Sequence, residues 1–213
     1  MAWRGRVALG KRAAYRDESY WGRPVPGFGD ERARLLIIGL APAAHGANRT
    51  GRMFTGDESG RWLYRALHRA GFANQAESTQ RSDGMELLGA RITAAVRCAP
   101  PANRPTPQEC ARCLPFLARE IVLCRRARVF VCLGGFAWMA ALRALRALGT
   151  ELPRPLSRFA HAAETRLGAR GPWLLGSYHP SQQNTFTKRL TEPMLDAVMS
   201  RAAELTAERA LDR

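Results

Sequence analysis

The sequence lacks any apolar segment long enough to cross a membrane. A spanning helix needs a run of roughly 20 apolar residues, and no run of even about 18 occurs in the 213 positions. The first residues, Met-Ala-Trp-Arg-Gly-Arg-Val, also lack the apolar core of a secretory signal. We therefore expect a cytoplasmic protein with no membrane partner. The length favours one domain over residues 31–213, preceded by a basic segment and loop over residues 1–30.

Lysine is almost absent, and acidic residues are few. Lys11 and Lys188 are the two lysines, and 33 Lys and Arg residues face 18 Asp and Glu residues, which gives a net charge of +15. One interpretation is a polyanionic partner, because arginine binds phosphates in a forked geometry and releases their counterions. The other is a GC-rich genome, whose codons favour arginine whatever the function. Composition alone leaves both interpretations open.

The number of cysteines is small and odd, which argues against a disulfide framework in a protein expected to be cytosolic. The chain has five of them. Cys132 lies in an apolar run and is expected to be a small buried side chain. Cys110 and Cys113 form a C-x-x-C pair with Cys98 nearby, a spacing that is typical of metal ligands.

Two nucleotide-binding motifs are also missing. The chain has no G-x-x-x-x-G-K-[ST] pattern, and its first predicted strand is not followed by G-x-G-x-x-G with an acidic residue about 20 positions later. These absences disfavour a nucleoside triphosphate site and a dinucleotide site.

Four short apolar segments alternate with helical patterns along the chain. The predicted strands cover residues 34–40, 91–97, 129–133 and 173–177, and the predicted helices cover residues 58–71, 107–125, 136–148 and 187–209. Irregular structure is expected over residues 20–30, 74–89 and 150–171. This alternation predicts an α/β protein, a three-layer α/β/α sandwich on a four-stranded, mostly parallel sheet.

Unusual polar and aromatic residues follow three of these strands. The first loop is rich in Gly, Ala and Pro and carries His45, Phe54 and Asp57. The other two loops carry Asn103, which lies among prolines, and residues 179–184. Because the carboxyl ends of parallel strands meet at one edge of a sheet, we expect these loops to form one site.

Each candidate side chain also has an ordinary structural explanation. Asp57 can cap the helix that follows it, and Asn103 can be a turn residue. His179 can be a partly buried loop histidine, and Phe54 can pack beneath its loop. The coincidence of all four at converging strand ends favours a site. A stiff pocket with an aromatic ring, an amide, a carboxylate and a histidine on a basic protein suits a nucleobase flipped out of a nucleic acid.

Longer motifs give the chain a family resemblance. They are Gly-Leu-Ala-Pro-Ala-Ala-His-Gly-Ala-Asn-Arg-Thr-Gly-Arg-Met-Phe-Thr-Gly-Asp at residues 39–57, Ala-Val-Arg-Cys-Ala-Pro-Pro-Ala-Asn at 95–103, Leu-Gly-Gly at 133–135, His-Pro-Ser at 179–181 and Gln-Asn-Thr at 183–185. With these motifs the chain resembles the type B, or family 5, uracil-DNA glycosylases over about residues 20–195. The resemblance implies an α/β/α sandwich on a four-stranded parallel sheet, in agreement with the pattern of strands and helices.

The resemblance implies a monofunctional glycosylase that hydrolyses the N-glycosidic bond of uracil in DNA and leaves an abasic site. Other superfamily members carry Asn, Asp or Glu near position 43 to activate water, whereas this chain has Ala43, as the type B branch does. The nearest carboxylate, Asp57, would then activate water and stabilise the oxocarbenium-like sugar. His179 would donate to uracil O2, and Asn103 would hold the base or the water.

The resemblance also implies substrate contacts. Phe54 would stack on the flipped base, and residues 179–184 would press into the duplex as the base leaves the stack. The remaining candidates for substrate binding are Gly39, Ala41, Ala43, His45 and Asn184. The implied partner is uracil-containing DNA, bound by a monomer, and other deaminated bases such as hypoxanthine are implied as further substrates.

A [4Fe–4S] cluster is implied by the family but matched only in part. The family binds it with four cysteines. Cys98 and Cys113 match the second pair, whereas residues 1–30 contain no cysteine. Either the true start lies upstream of Met1, or the cluster has been lost, or Cys110 and Cys124 replace the first pair. We expect a missing N-terminal segment, because two matched ligands do not make a cluster.

Two other functions fit parts of the sequence. A catalytically silent member would bind DNA or a damaged base on the same scaffold, although the presence of Asp57 favours the enzyme. A general nucleic-acid or RNA-binding α/β protein would explain the charge, but it gives no purpose to the Gly-Leu-Ala-Pro-Ala-Ala-His-Gly loop.

Overall fold

The computed structural model describes residues 2–208, which fold around one mixed sheet. The helices are α1 (Ala2–Gly10), α2 (Ala47–Thr50), α3 (Glu58–Arg69), α4 (Pro107–Leu123), α5 (Gly135–Ala147), α6 (Gln182–Phe186) and α7 (Glu192–Ala207). The strands are β1 (Phe28–Gly29), β2 (Leu35–Gly39), β3 (Ala90–Ala94), β4 (Val129–Leu133), β5 (Glu164–Arg166) and β6 (Trp173–Ser177). No helix within residues 2–208 is both long and apolar enough to cross a membrane.

The sheet has six strands in the order β1-β3-β2-β4-β6-β5. The central four are parallel and are the four that the sequence predicts, whereas β1 and β5 pair antiparallel at the two edges. The expected count of four strands is therefore wrong, as is the expectation of purely irregular structure over residues 20–30 and 150–171. Each edge strand has two or three residues, so it forms through pairing with its neighbour rather than through its own pattern.

Alternate residues of the central strands pack on opposite faces of the sheet. In β2, Leu35 and Ile37 belong to one apolar cluster, whereas Leu36 and Ile38 belong to the other. Helices α3 and α7 contribute to the first cluster, and α4 and α5 contribute to the second. Strands buried on both faces in this way are typical of parallel sheets that helices cover on each side. The predicted three-layer α/β/α sandwich is confirmed.

The helix expected over residues 187–209 forms as α7, although it begins at Glu192, and residue 209 is outside the described residues. The short helix α6 precedes it, in a segment that the sequence predicts as a loop. Between them, Lys188 has a left-handed backbone conformation with φ of 56°. Pro193 then lies in the first turn of α7, where the missing proline N–H leaves no helical hydrogen bond unmade. The irregular residues around Lys188 therefore separate α7 from α6, the short helix that follows the loop after β6.

Helix α1 forms in the N-terminal segment, where the sequence indicates only a basic segment and loop. Arg4 Nε donates to the Gly22 carbonyl oxygen at 3.1 Å. Asn48 Nδ2, from the loop after β2, donates to the Arg4 carbonyl oxygen at 3.2 Å. The bond from Asn48 joins α1 to the loop that carries His45, Phe54 and Asp57.

Candidate active site

The loop between β2 and α3 holds the Phe54 ring against the end of the central strand. A side chain at Gly39 would place its Cβ 2.7 Å from Phe54 Cε2, and one at Gly60 would place its Cβ 1.8 Å from the Phe54 carbonyl oxygen. Phe54 itself has a positive φ of 54° and is 9 % exposed. A left-handed aromatic residue is strained, and the close approach of two glycines is what permits this turn.

Asp57 caps helix α3, so the ordinary explanation of this residue is confirmed. Its Oδ1 accepts a hydrogen bond from the Gly60 backbone N–H at 2.9 Å. Its Oδ2 lies beside Gly46, because a Cβ at Gly46 would come within 2.0 Å of that oxygen. The cap therefore engages one carboxylate oxygen, and the other faces the loop after β2.

Burial raises the pKa of the Asp57 carboxyl above its ordinary value, although hydrogen bonds from the Gly60 and Ser59 backbone oppose the change. Asp57 as a whole residue is half-buried. Once ionised, a carboxylate with a raised pKa is a stronger base.

His179 lies beside Phe54. The two ring centroids are 5.8 Å apart, with an angle of 33° between the planes. Burial lowers the pKa of the His179 imidazole to about 4, so the ring is neutral near pH 7. The structure thus brings together the loops after β2 and β6, as the sequence predicts, and places a neutral imidazole next to an aromatic face.

The segment after His179 is held by its own hydrogen bonds. Asn184 Nδ2 donates to the His179 carbonyl oxygen at 2.9 Å, and the Ser181 backbone N–H donates to the same oxygen at 2.8 Å. Ser181 also caps α6 by accepting from the Asn184 backbone N–H. Asn184 therefore orients the histidine loop, and a direct contact between Asn184 and a base stays a prediction.

His45 contacts the N-terminal segment. Its Nδ1 and the Tyr20 hydroxyl are 2.9 Å apart, and the Tyr15 ring stacks on it with centroids 6.5 Å apart. Burial lowers the pKa of His45, and the nearby charges of Arg12 and Arg49 lower it further. His45, which the sequence predicts to bind the substrate, therefore also interacts with side chains of residues 12–20.

Arg49 fastens both ends of the loop after β2, a role that sequence reasoning did not give it. Its Nε donates to the His45 carbonyl oxygen at 2.8 Å, and its Nη2 donates to the Gly56 carbonyl oxygen at 3.2 Å. It also pairs with Glu18 and lies 4.1 Å from the Tyr15 ring centroid. An arginine in a loop of small residues is the signal that points to such a role, because its five donors can bridge several carbonyls.

Arg52 fixes the far side of the same loop. Its Nη2 lies 2.6 and 2.7 Å from the two carboxylate oxygens of Asp83 and 2.7 Å from the Ser78 hydroxyl. Burial by itself would raise the pKa of Asp83, but hydrogen bonds from Arg52 and from backbone N–H groups outweigh it and lower that pKa. This buried network of hydrogen bonds holds the loop after β2 against residues 78–83.

Asn103 lies on an exposed turn. It ends a turn of 3₁₀ helix, Pro101–Asn103, in which Ala102 and Asn103 have φ of 49° and 55°. Its expected identity as a turn residue is confirmed. Its role in holding the base or the water stays a prediction. Ala41 and Ala43 lie at the start of the loop after β2, where the Ala43 carbonyl oxygen accepts from the Asn48 N–H at 3.0 Å.

The predicted cluster ligands Cys98 and Cys113 are both buried, and Cys113 contributes to the raised pKa of Cys98, although burial is the main cause. Within residues 2–208, no group of three or more His, Cys, Asp or Glu side chains is arranged to hold a metal. Cys124 caps the far end of α4, about 16 Å along the helix from Cys113 at 1.5 Å per residue. It cannot join that pair, and the described residues do not fit a four-thiolate cluster.

Comparison with known proteins identifies the family. A model of the "Uracil DNA glycosylase superfamily" matches residues 26–203. A "Type-5 uracil-DNA glycosylase" of Mycobacterium tuberculosis is 58 % identical over 206 residues, which cover 96 % of this chain and 75 % of that protein. The proteins of the same name from Mycobacterium leprae and Thermus thermophilus are 54 % and 48 % identical, over 95 % and 96 % of this chain and 87 % and 90 % of theirs. The resemblance seen in the sequence motifs is confirmed, and the chain belongs to the uracil DNA glycosylase superfamily.

Proposed function

We propose that this chain hydrolyses the N-glycosidic bond between uracil and deoxyribose in DNA, leaving an abasic site for repair. The observation that carries the proposal is the Asp57 carboxylate, which is partly buried at the end of the loop that holds Phe54 against His179. The names and identities of the relatives support it, since three type-5 uracil-DNA glycosylases match nearly the whole chain.

In the proposed reaction, Asp57 acts on the sugar side of the bond. The C1′–N1 bond breaks, its electron pair leaves on uracil, and the oxygen of a water molecule adds to C1′. Asp57 Oδ2 stabilises the positive charge that develops on the sugar and accepts a proton from the water. The raised pKa favours this transfer, and the proton then passes to solvent while the released uracil anion takes up another.

His179 and Phe54 act on the base. Negative charge develops on uracil O2 as the bond breaks, and a neutral imidazole stabilises it by donating one N–H. Because the pKa of His179 is about 4, its imidazole is neutral near pH 7 and donates the N–H that a neutral ring already carries. The Phe54 ring supplies a face on which a flat base stacks.

The finer assignments are part of the same proposal. Gly39, Ala41 and Ala43 are proposed to contact the substrate, and acceptance of hypoxanthine is proposed because Ala41 and Ala43 have small side chains. The protein is proposed to act as a monomer, which light scattering would report as a species of 23.6 kDa. The iron–sulfur cluster, for which Cys98 and Cys113 match two of the four ligands, stays a prediction.

The direct test is cleavage of a labelled duplex with one uracil opposite guanine, followed by alkali. We expect strand scission by the wild type and a loss of at least about 100-fold for Asp57→Asn, as for removal of other groups that stabilise transition-state charge. Asparagine retains a capping oxygen, so Asp57→Asn should keep its fold. Asp57→Ala removes both roles and should unfold more easily by about 0.5–2 kcal/mol.

A catalytically silent DNA-binding protein is the second candidate. The helix-capping role of Asp57 favours this candidate in one respect, because capping gives the aspartate a structural role that requires no catalysis. A folded wild type that binds uracil-containing DNA without cleaving it would establish the silent protein and remove the enzyme. Equal cleavage by the wild type and Asp57→Asn would retain the enzyme and remove Asp57 from its mechanism.

A further inference from the structure

A groove runs between α1 and the loop after β2, outside the Asp57, Phe54 and His179 site. One cavity of about 340 Å³ is lined by Trp3, Arg6, Val7, Gly10, Lys11 and His45. A neighbouring cavity of about 490 Å³ is lined by Leu9, Gly10, Lys11, Arg12, Ala13 and Arg16. The two cavities share Gly10 and Lys11 in their lining, and we call the surface formed by both linings the α1 groove.

The lining of the α1 groove is strongly basic. Four of its side chains are cations, namely Arg6, Lys11, Arg12 and Arg16, and no lining residue is acidic. Arg6 lies 5.1 Å from the Trp3 ring centroid, which orders its guanidinium. Lys11 Nζ donates to the Arg16 carbonyl oxygen at 3.0 Å. Cations that share one lining without carboxylates repel one another, and an anionic ligand relieves that repulsion.

His45 joins the α1 groove to the candidate active site. It lines the groove, and it belongs to the loop that continues to Phe54 and Asp57. Arg12 is close enough to His45 to help lower its pKa, after the larger effect of burial. A DNA strand that delivers a nucleotide to Asp57 therefore has neighbouring phosphates next to this histidine and the cations beyond it.

We propose that the α1 groove binds the phosphates of the DNA strand that carries the excised base, on one side of the flipped nucleotide. This proposal rests on the proposed function for the identity of the strand. Phosphates match the groove because arginine and lysine bind them and release counterions, whatever the base sequence. The groove thus supplies sequence-independent affinity, and the site at Asp57 supplies selectivity for the base.

Gly10 provides a sharp test. A Cβ at this position meets no atom within 4 Å, so Gly10→Glu and Gly10→Gln add side chains of equal size into open space. Only the glutamate adds negative charge. We expect Gly10→Glu to weaken binding of a uracil-free duplex and to raise KM for a uracil duplex by about tenfold or more, with kcat within about twofold of the wild type. Gly10→Gln should change both quantities much less.

A pair of double variants provides the matched control for loss of charge. Arg6→Ala with Lys11→Ala removes two cations from the α1 groove, and Arg125→Ala with Arg126→Ala removes two exposed cations at the opposite, amino-terminal edge of β4. Fluorescence anisotropy with uracil-free DNA measures binding independently of catalysis. The first double variant should bind more weakly by at least about tenfold, and the second by less than about twofold.

The outcomes separate this proposal from the proposed function. Equal affinities for the two double variants, or for Gly10→Glu and Gly10→Gln, would overturn the α1 groove as a DNA site even if the wild type cleaves uracil DNA. Weaker DNA binding by the groove variants would support it even if the wild type proved inactive, in which case only the proposed function would fall. Circular dichroism and thermal melting of each variant exclude loss of the fold as the cause.

Discussion

The pKa values of the two candidate catalytic side chains move in opposite directions for one reason. Burial raises the pKa of Asp57 and lowers that of His179, because in both cases it favours the neutral form. The cap hydrogen bonds limit the effect on Asp57, whereas burial acts on His179 without an opposing partner. The proposed hydrolysis needs an ionised carboxylate and a neutral imidazole. Burial by itself keeps the His179 imidazole neutral near pH 7.

His179 should make the protein less stable as the pH falls from about 6.5 to about 4. In the unfolded chain this histidine takes up a proton at about pH 6.5, whereas in the folded chain it does so only at about pH 4. Between these two pH values the unfolded state therefore binds more protons than the folded state. The expected loss is of order 1–3 kcal/mol. Urea unfolding of the wild type and His179→Gln across this range measures it, and the advantage of the wild type should shrink as the pH falls.

Other titrating groups provide the internal control for this experiment. His45 and His161 also have lowered pKa values and destabilise in the same direction, and Asp57, whose pKa is raised, acts in the opposite direction. All three are present in both proteins, so they cancel in the difference. Parallel stability profiles for the wild type and His179→Gln would show that the burial of His179 does not control its charge.

At the scale of elements, the turn just before α3, at the end of the loop after β2, is where close backbone approach determines the geometry. Gly60 is the third residue of α3, and the Phe54 carbonyl oxygen occupies the space that a Cβ would need. The sequence indicates a helix here from its stripe of Trp62, Leu63 and Leu67, but nothing in that stripe shows that the preceding turn folds back onto the helix.

Replacement of Gly60 by alanine should therefore destabilise the protein, although alanine is the better helix former. The new Cβ would lie 1.8 Å from the Phe54 carbonyl oxygen, so the turn or the helix start must shift, at a cost of about 1–3 kcal/mol. Gly5→Ala in α1 is the matched control, since its Cβ meets no atom within 4 Å. It should stabilise α1 by up to about 1 kcal/mol, and chemical unfolding of both variants gives the comparison.

Equal stabilisation by Gly60→Ala and Gly5→Ala would contradict this account of the turn. Activity gives a second readout, because a shift of Phe54 alters the stacking face beside His179. We therefore expect Gly60→Ala to lose activity on uracil DNA at temperatures where it remains folded, whereas Gly5→Ala retains it.

At the scale of the whole molecule, charge is the dominant feature. The net charge of +15 leaves two explanations open in the sequence, a polyanionic partner or codon usage. Several arginines have internal partners, such as Arg49 with Glu18 and Arg52 with Asp83, and so stabilise the fold rather than a ligand. The lining of the α1 groove adds four cations, Arg6, Lys11, Arg12 and Arg16, and contains no acidic residue.

Binding of uracil-free DNA should therefore depend steeply on salt. If about six to ten phosphates are contacted, the association constant should fall by about 10³–10⁵ between about 50 and 200 mM salt, because bound counterions are released on association. Anisotropy titrations at several salt concentrations measure the slope. A flat dependence would indicate that the positive charge does not serve DNA binding and would favour codon usage as its cause.

The sequence by itself determined the layers of the fold and the identity of the site loop. Buried strands such as β2 and β4 have apolar side chains at every position that faces a helix layer, and this pattern is local, so it can be read along the chain. The long motif from Gly39 to Asp57 identified the family for the same reason, since its residues are adjacent in sequence.

Only the tertiary structure decided which side chains meet and what else they do. The edge strands, the partners of Arg49, the tie between His45 and Tyr20 and the α1 groove all join residues far apart in the chain. Asp57 shows the limit most clearly, because the sequence offered a cap and a catalytic carboxylate as alternatives, and the structure gives it a cap that engages one oxygen and leaves the other facing the loop. Such contacts depend on the packing of separate segments, which no local pattern specifies.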